Sequence, residues 1–505
     1  MRRSSVTPVT RIRQGLARVV FVFIVASALT GCAALLGLDE SVPGGGGSSS
    51  SVAPGPNPSD GGCAPCDDPA QCMEAGEQTR CGTDPCLVDP SDAACLVDGL
   101  FISALKGEDA TADGTRDKPF RTVAAALSNV SAQKRRLYLC EGVYPEDVTL
   151  TSAHAGLSLF GGFTCDWRPS ATKPTLGASA RALTIDGAMG VSLADLTFQA
   201  KDAPTPGGSS VAAFVKTSSV TFKRVALIAG NARDGADGTR VDLALSINYD
   251  GLGSLDGGAG LAKLITCPGG ASTKGGKGGV GGFAGDPGAP GPDNRGTVAD
   301  GGCGASETVK DGQPGASPSP APSVTLLGEL AAAGWQPQGG TAGANGGPGQ
   351  GGGGGASLVS GAGGGGGGAG GCGGAGGGGG QGGGASIALA AIDAFVFFID
   401  SALDAKNAGH GGDGASGQLG YPGGSQGLGG NGACNGGNGG NGGNGAAGGG
   451  GVGGVSVGAL FKGTAPAVDS ATAARTRTGL KGNPGLGPAN PGREGVAAPT
   501  LAITP

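Results

Sequence analysis

Val191-Ser192-Leu193, followed by Leu196-Thr197-Phe198, decides the fold, because the pattern returns. It recurs 29 residues later as Val220-Thr221-Phe222 and Val225-Ala226-Leu227. After 176 more residues it recurs without a gap as Val396-Phe397-Phe398 and Ser401-Ala402-Leu403. Ser210–Gly235 and Ser386–Gly411 are identical at ten of 26 positions, including Asn231/Asn407 and Gly235/Gly411. A weaker fourth copy starts at Ser456-Val457 and runs through Leu460 and Val468. Each unit reads as two short alternating strands around a turn, then a loop opening with Asn or Gly. Alternation gives each strand one apolar face. A unit this short cannot bury that face alone, so copies must stack. Asp195, Arg224 and Asp400 then occupy the same place in successive copies and form an alternating-charge ladder on the solvent face.

The segment ahead of the repeat carries further signals. Gly114-Thr115 and Lys118-Pro119-Phe120-Arg121-Thr122 lead into Val123–Val130, whose Val123, Leu127 and Val130 fall on one helical face. Leu137 to Tyr144 and Val148-Thr149-Leu150 follow as strands. This opening resembles that of pectin-lyase-like proteins, with a capping helix and then a strand, Gly-x-Tyr, strand first coil. The resemblance covers residues 114–235. It implies an all-β chain built on a right-handed parallel β-helix. Cys140 and Cys165 lie 25 residues apart, near one coil length. Adjacent strands sit about 4.8 Å apart, within reach of a disulfide.

The repeat makes residues 236–385 and 412–454 two long insertions. Composition shifts there: 89 of the 114 glycines lie after residue 230. Asn438, Asn441 and Asn444 recur every third residue with Gly-Gly between. A three-residue period is that of a polyproline-II-type helix. On such a helix the asparagines share one edge, and the glycine edges can approach neighbouring chains. Disorder is the rival, since few residues could form a side-chain core. A lipoprotein with these tracts also resembles glycine-rich PGRS-type bacterial proteins, a likeness of composition. Of the later cysteines, the expected pairs are Cys267 with Cys303 and Cys372 with Cys434.

The N-terminus bears on compartment. Arg2, Arg3, Arg11, Arg13 and Arg18 precede an apolar run from Val19 to Leu29, too short for an ordinary membrane span. Leu29-Thr30-Gly31-Cys32 resembles the bacterial lipobox. The resemblance implies cleavage after residue 31, a lipid anchor on Cys32 and a place in the cell envelope, with Ala33 favouring the outer membrane. Loss of the leader leaves 28 Lys+Arg against 39 Asp+Glu, a balance of −11. That sign argues against nucleic acid as a partner. Residues 41–62 within the 32–62 tether are rich in Gly, Ser and Pro and behave as flexible coil. Six cysteines between Cys63 and Cys95 mark a small module over 63–98, read as disulfides in an exported chain rather than as a zinc site. Residues 99–235 hold the cap and first coils, 386–411 another coil, and 455–505 the last coil and tail.

Chemistry-bearing residues are sparse. A polysaccharide lyase or hydrolase on this fold would need clustered carboxylates, and the candidates are Asp186, Asp195, Lys201, Asp202, Lys223 and Arg224. Glu141, Glu146 and Asp147 group in the first coil. His154 and His410 are the only histidines, with no nucleophile signature beside either. Gly411-Gly412-Asp413-Gly414 resembles a calcium-binding glycine repeat but occurs once. No glycine loop precedes a Lys-Ser/Thr pair and a helix, so a nucleotide site is not expected. The sequence thus points to a non-catalytic, lipid-anchored, structural or adhesive surface protein without cofactor or metal. Its partners would be the membrane and an extracellular matrix or polysaccharide. A polysaccharide-binding or polysaccharide-cleaving protein is the alternative.

Overall fold

The computed structural model describes residues 85–291, 311–357, 360–488 and 490–503. The leader, Cys32, the tether, Cys63 through Cys81 and Cys303 lie outside the described residues.

The alternating Val, Leu, Ile and Phe runs become strands, and the strands pair in parallel. Among the described residues, three parallel sheets contain seven, six and six strands, and neighbours in each sheet come from successive passes of the chain. One pass is Val191–Ala194, Thr197–Gln199 and Ser210–Lys216, with one strand in each sheet. The next is Ser219–Lys223, Ala226–Ile228 and Ser386–Ile392. Phe395–Ile399, Ala402–Asp404 and Ser456–Lys462 follow. This all-β topology is consistent with a parallel β-helix. Each pass holds a third strand that the two-strand reading of the repeat did not contain.

Strand register follows the repeat. Val220 pairs with Val191 on one side and Val396 on the other. Leu227 pairs with Phe198 and Leu403. Ser386 pairs with Ser210 and Ser456, and Phe398 with Val468. Like side chains therefore stack inside the column. Phe198, Phe222 and Phe398 are fully buried, and the last two stack with centroids 5.0 Å apart and planes at 12°. Burying each such side chain contributes about 1.5–3 kcal/mol. At the first end, helix Val123–Ser128 buries Val123 and Ala126 against the same core as Leu137 and Leu139. Thr122 caps it by accepting from the Ala125 N–H. Glu146, from the first pass, accepts from the N–H groups of Val123 and Ala124 at 2.8 and 3.0 Å.

The long excursions, residues 229–385, 405–455 and 478–496, all leave between the second and third strands of a pass. Because the passes stack, their stems lie side by side. The N–H groups of Ala229, Ala232, Gly235 and Gly238 donate to the carbonyls of Asp404, Asn407, His410 and Asp413. Register thus carries from the column into the glycine-rich part, which accounts for the shared Asn231/Asn407 and Gly235/Gly411.

Among the described residues the excursions are ordered, and the disorder alternative gives way there to a hydrogen-bonded bundle. Every third residue from Gly340 to Gly355 donates to the antiparallel chain that runs from Gly380 back to Gly365. That chain in turn donates, from every third residue between Gly365 and Gly383, to the parallel segment Cys434–Val452. It also accepts from every third residue between Gly412 and Gly430. A three-residue period points backbone groups in three directions, so one chain bonds several neighbours at once. The close approach demands glycine: a Cβ on Gly371 would overlap the Tyr421 carbonyl oxygen. Residues 362–385 and 434–455 contain no proline, whereas the outer segment 311–323 has Pro314, Pro318, Pro320 and Pro322. Proline fits this helix and removes an N–H that would face solvent.

Three described disulfides pin the structure. Cys86–Cys95 closes a short loop with Cα atoms 5.7 Å apart, and Cys140–Cys165 joins neighbouring passes at 4.8 Å. The third corrects the expected pairing. Cys267 bonds Cys372, Cα to Cα 5.6 Å, rather than Cys303, and Cys372 therefore does not bond Cys434. The hairpin Leu264–Thr266 and Ser272–Lys274 folds back onto the central chain, where Thr273 Oγ1 accepts from the Gly370 N–H. Proximity along the sequence was the wrong guide. Cys434 is itself disulfide-bonded.

Candidate functional site

The acidic and basic residues singled out from the sequence do not converge. Asp186 pairs with Lys216 at 3.0 Å, on the strand next to its own. Lys223 reaches the Leu87 carbonyl at 2.9 Å. Asp202 accepts from the Asn231 N–H at 2.6 Å. Lys201 is exposed. Among the first-pass acids, Glu146 holds the capping helix, Asp147 accepts from the N–H groups of Ala178 and Ser179, and Glu141 accepts from the Ser170 hydroxyl. Each carboxylate is engaged in holding a turn or a neighbouring pass.

Asp195, Arg224 and Asp400 do form a ladder. Each occupies the same tight turn, with φ of 56°, 53° and 50°. Their backbones bond in sequence, the Asp195 N–H to the Lys223 carbonyl and the Arg224 N–H to that of Ile399. Arg224 grips Asp195 with two hydrogen bonds of 2.7 and 2.5 Å, and Arg475 pairs with Asp400 at 2.7 Å. Arg224→Ala is expected to lower stability by about 1–3 kcal/mol, leaving a largely buried carboxylate without its partner. Arg224→Gly should be milder, because glycine relieves roughly 1 kcal/mol of left-handed backbone strain. Urea denaturation of the two variants checks the order.

The histidines are also structural. His154 Nδ1 accepts from the Thr151 N–H at 3.0 Å, and His410 Nδ1 accepts from the Asn483 N–H at 2.8 Å. Burial lowers the pKa of His154, as it does those of Lys173 and Arg181. Among the described residues, no group of three or more His, Cys, Asp or Glu could hold a metal. Asp413 instead accepts from the Leu486 N–H. No helix of the described residues is long and apolar enough to cross a membrane.

The outward-facing side chains of the bundle stitch neighbouring chains together. Asn435, Asn438, Asn441 and Asn444 accept, through Oδ1, from the N–H groups of Gly429, Gln426, Gly423 and Gly420. Three parallel rows repeat the device across the adjacent face. Asn231 accepts from Asn407, which accepts from Leu480; Asp234 accepts from His410; Asp237 accepts from Asp413. These oxygens satisfy N–H groups on the surface that no further backbone chain covers.

One concavity was not foreseen. Hairpin Gly328–Ala331 and Gly334–Pro337 packs its Leu330 and Trp335 on Val211, Phe214 and Ile387. Between hairpin and column lies a groove of about 860 Å³, lined by Ser179, Arg181, Lys201, Asp202, Trp335 and Gln381 among others. Arg181 lies over the Phe214 ring at 4.8 Å and donates to the Ala333 carbonyl, holding the hairpin down. The Trp335 indole N–H is buried without a hydrogen-bond partner among the described residues. The turn is Ala332-Ala333, and Gly334, which opens the second strand at φ 116°, is the local sequence signal beside it.

No protein-family model matches the chain, and no curated protein matches it. Among solved structures, the crystal structure of the GH136 lacto-N-biosidase from Eubacterium ramulus aligns with 25% of this chain at 12% identity and a TM-score of 0.17. The matched region spans 27% of that enzyme's chain, and at this level the likeness carries no argument about activity.

Proposed function

We propose that the chain is a non-catalytic, lipid-anchored cell-envelope protein, structural or adhesive, in which a right-handed parallel β-helix carries the glycine-rich bundle outward from the membrane. The observation that supports this most is the bundle's hydrogen bonding. Chains bonded at every third residue along several directions form a stiff body that keeps its shape with almost no side-chain core. The engagement of each candidate carboxylate in turns and ladders supports a structural role over a hydrolytic one. Cys32 supplies the anchor, and several acyl chains there, at about 0.8 kcal/mol per buried methylene, would make it durable.

Surface biotinylation and protease digestion of intact cells test the proposal, with wild type compared to Cys32→Ala. The expected result is a wild-type protein that is labelled and retained, and a variant released into the medium. A wild type that stays protected until the outer membrane is broken would overturn surface display.

The groove beside Trp335 favours a second reading, a glycan-binding protein, because its lining mixes hydrogen-bonding side chains with apolar surface. Retardation in affinity gels loaded with envelope polysaccharide, abolished by Lys201→Ala with Gln381→Ala, would support it. Unchanged mobility of the wild type would remove it.

A further inference from the structure

The groove between the column and hairpin Gly328–Ala331 and Gly334–Pro337 gathers hydrogen-bond donors that meet no acceptor among the described residues. Arg181 is half-buried there, its guanidinium over the Phe214 ring and one N–H given to the Ala333 carbonyl. A cation taken partly out of water is ordinarily offset by a carboxylate. Arg181 has none among the described residues: burial lowers its pKa, and no nearby acid counters that shift. Lys201 stands one pass away. Its backbone N–H donates to the carbonyl of Ser179, two residues before Arg181, and its own carbonyl accepts from the Ser210 hydroxyl. Its backbone is thus fixed, while its ammonium has neither a hydrogen bond nor an ion pair among the described residues. Gln381, on the central chain, accepts through Oε1 from the Ala236 N–H, and its Nε2 has no acceptor among the described residues. The indole N–H of Trp335, a residue only 5% exposed, is in the same state.

One carboxylate lines the groove. Asp202 accepts through one oxygen from the Asn231 N–H and Nδ2, at 2.6 and 3.3 Å. Two cations therefore face one acid, in a chain whose formal net charge is −6. A cleft of opposite sign to its protein concentrates anions from the medium. Its walls are set in advance, because the Gly207 N–H bonds the Asp234 carbonyl and Arg181 holds the hairpin.

We infer that the groove takes a saccharide bearing an oxyanion. The inference rests on the glycan-binding reading and adds the charge of the ligand. Lys201 and the remaining N–H groups of Arg181 receive the anionic oxygens, and Gln381 Nε2 donates to a neutral oxygen of the sugar. A carboxylate and a sulfate ester share that chemistry.

Calorimetric titration of the full, oxidised chain with dextran, carboxymethyl dextran and dextran sulfate tests this, because the three share a backbone and differ in the anion. The substituted dextrans are expected to bind at least about tenfold more tightly than dextran, the factor given by one charge-assisted hydrogen bond. Binding of either supports the inference, and the tighter of the two identifies the oxyanion. Lys201→Gln should weaken that binding about tenfold, and Lys201→Glu should abolish it. Lys274→Glu, the same charge change at an exposed position on the bundle, should leave it unchanged. Equal affinity for all three dextrans would overturn the inference and leave the glycan-binding reading standing. Equal losses in Lys201→Glu and Lys274→Glu would overturn it too, by tracing binding to overall charge. Binding of none of the three would also overturn it, and the glycan-binding reading would then be decided by the affinity gels with envelope polysaccharide.

Discussion

Gly371→Ala is expected to destabilise the protein by about 2–4 kcal/mol, the reverse of what this exchange does where space allows. Replacing glycine by alanine ordinarily stabilises by roughly 0.4–1 kcal/mol, because the unfolded chain has less freedom to lose. At position 371 the added Cβ would fall on the Tyr421 carbonyl oxygen. The same residue donates to the Gly440 carbonyl and accepts from the Gly349 N–H. Relieving the overlap means parting the central chain from its neighbours, with an overpacking penalty of about 1–3 kcal/mol and loss of bonds contributing about 0.5–1.5 kcal/mol each. Leu419→Ala, on an outward position 74% exposed, should change stability by no more than about 0.5 kcal/mol. Denaturant titration of the two variants under oxidising conditions reads the contrast.

Phe398→Ala should be costlier still, about 3–5 kcal/mol. Its ring is fully buried and stacks on Phe222 inside the column. Truncation leaves a cavity that parallel ladders on both sides prevent from collapsing, because Phe398 pairs with Phe222 and Val468 in fixed register. Phe398→Leu should recover most of the loss, since it restores volume without the stacking contact. Phe395→Ala, three residues away on an exposed position, should cost less than about 1 kcal/mol.

These two variants probe the two ways the chain makes a solid, and the sequence disclosed them unequally. Column register was readable because one-residue slips would turn every apolar side chain outward. Val191, Val220 and Val396 therefore had to align. The stretch Leu137 to Tyr144 was readable as strand, but not its division into Arg136–Cys140 and Val143–Tyr144 in different sheets; Thr175–Leu176 is too brief to show alternation. Bundle period was visible in Asn438, Asn441 and Asn444, and their common edge followed from three residues per turn. Which chain each edge meets was invisible, because poly-glycine carries no side-chain code for partner. The disulfides show the same gap: Cys140 and Cys165 were one pass apart on a regular ladder, whereas Cys267 found Cys372 only because the excursion doubles back.

The site was legible mainly in the negative. Asp195 and Arg224 could be assigned to a ladder because the repeat placed them in register. Glu146 and Asp147 gave no hint that they hold a helix end and a turn from across the pass. Trp335 is one of two tryptophans in the sequence, and nothing beside it marks a groove. Its groove depends on a hairpin inside the long excursion meeting the column, a contact that no local pattern encodes.

Prolines on the outer segment and side-chain oxygens on the bundle's faces have a shared consequence. Backbone edges in a glycine bundle invite further chains much as an open sheet edge does. Pro314, Pro318, Pro320 and Pro322 remove donors there, and Asn438 or Asp234 consume others. At the last sheet edge, strand Ala497–Ala502 carries Pro499 and so lacks a donor at that position.

Amide hydrogen exchange on the native, oxidised protein tests the central claim most directly, with residues 362–385 and 434–455 followed in overlapping fragments. The ordered bundle predicts that amides there are protected to nearly the extent of the column strands Ser219–Lys223 and Phe395–Ile399. Exchange at the rates of an unfolded chain, with the column alone protected, would contradict it and return the glycine-rich excursions to disorder.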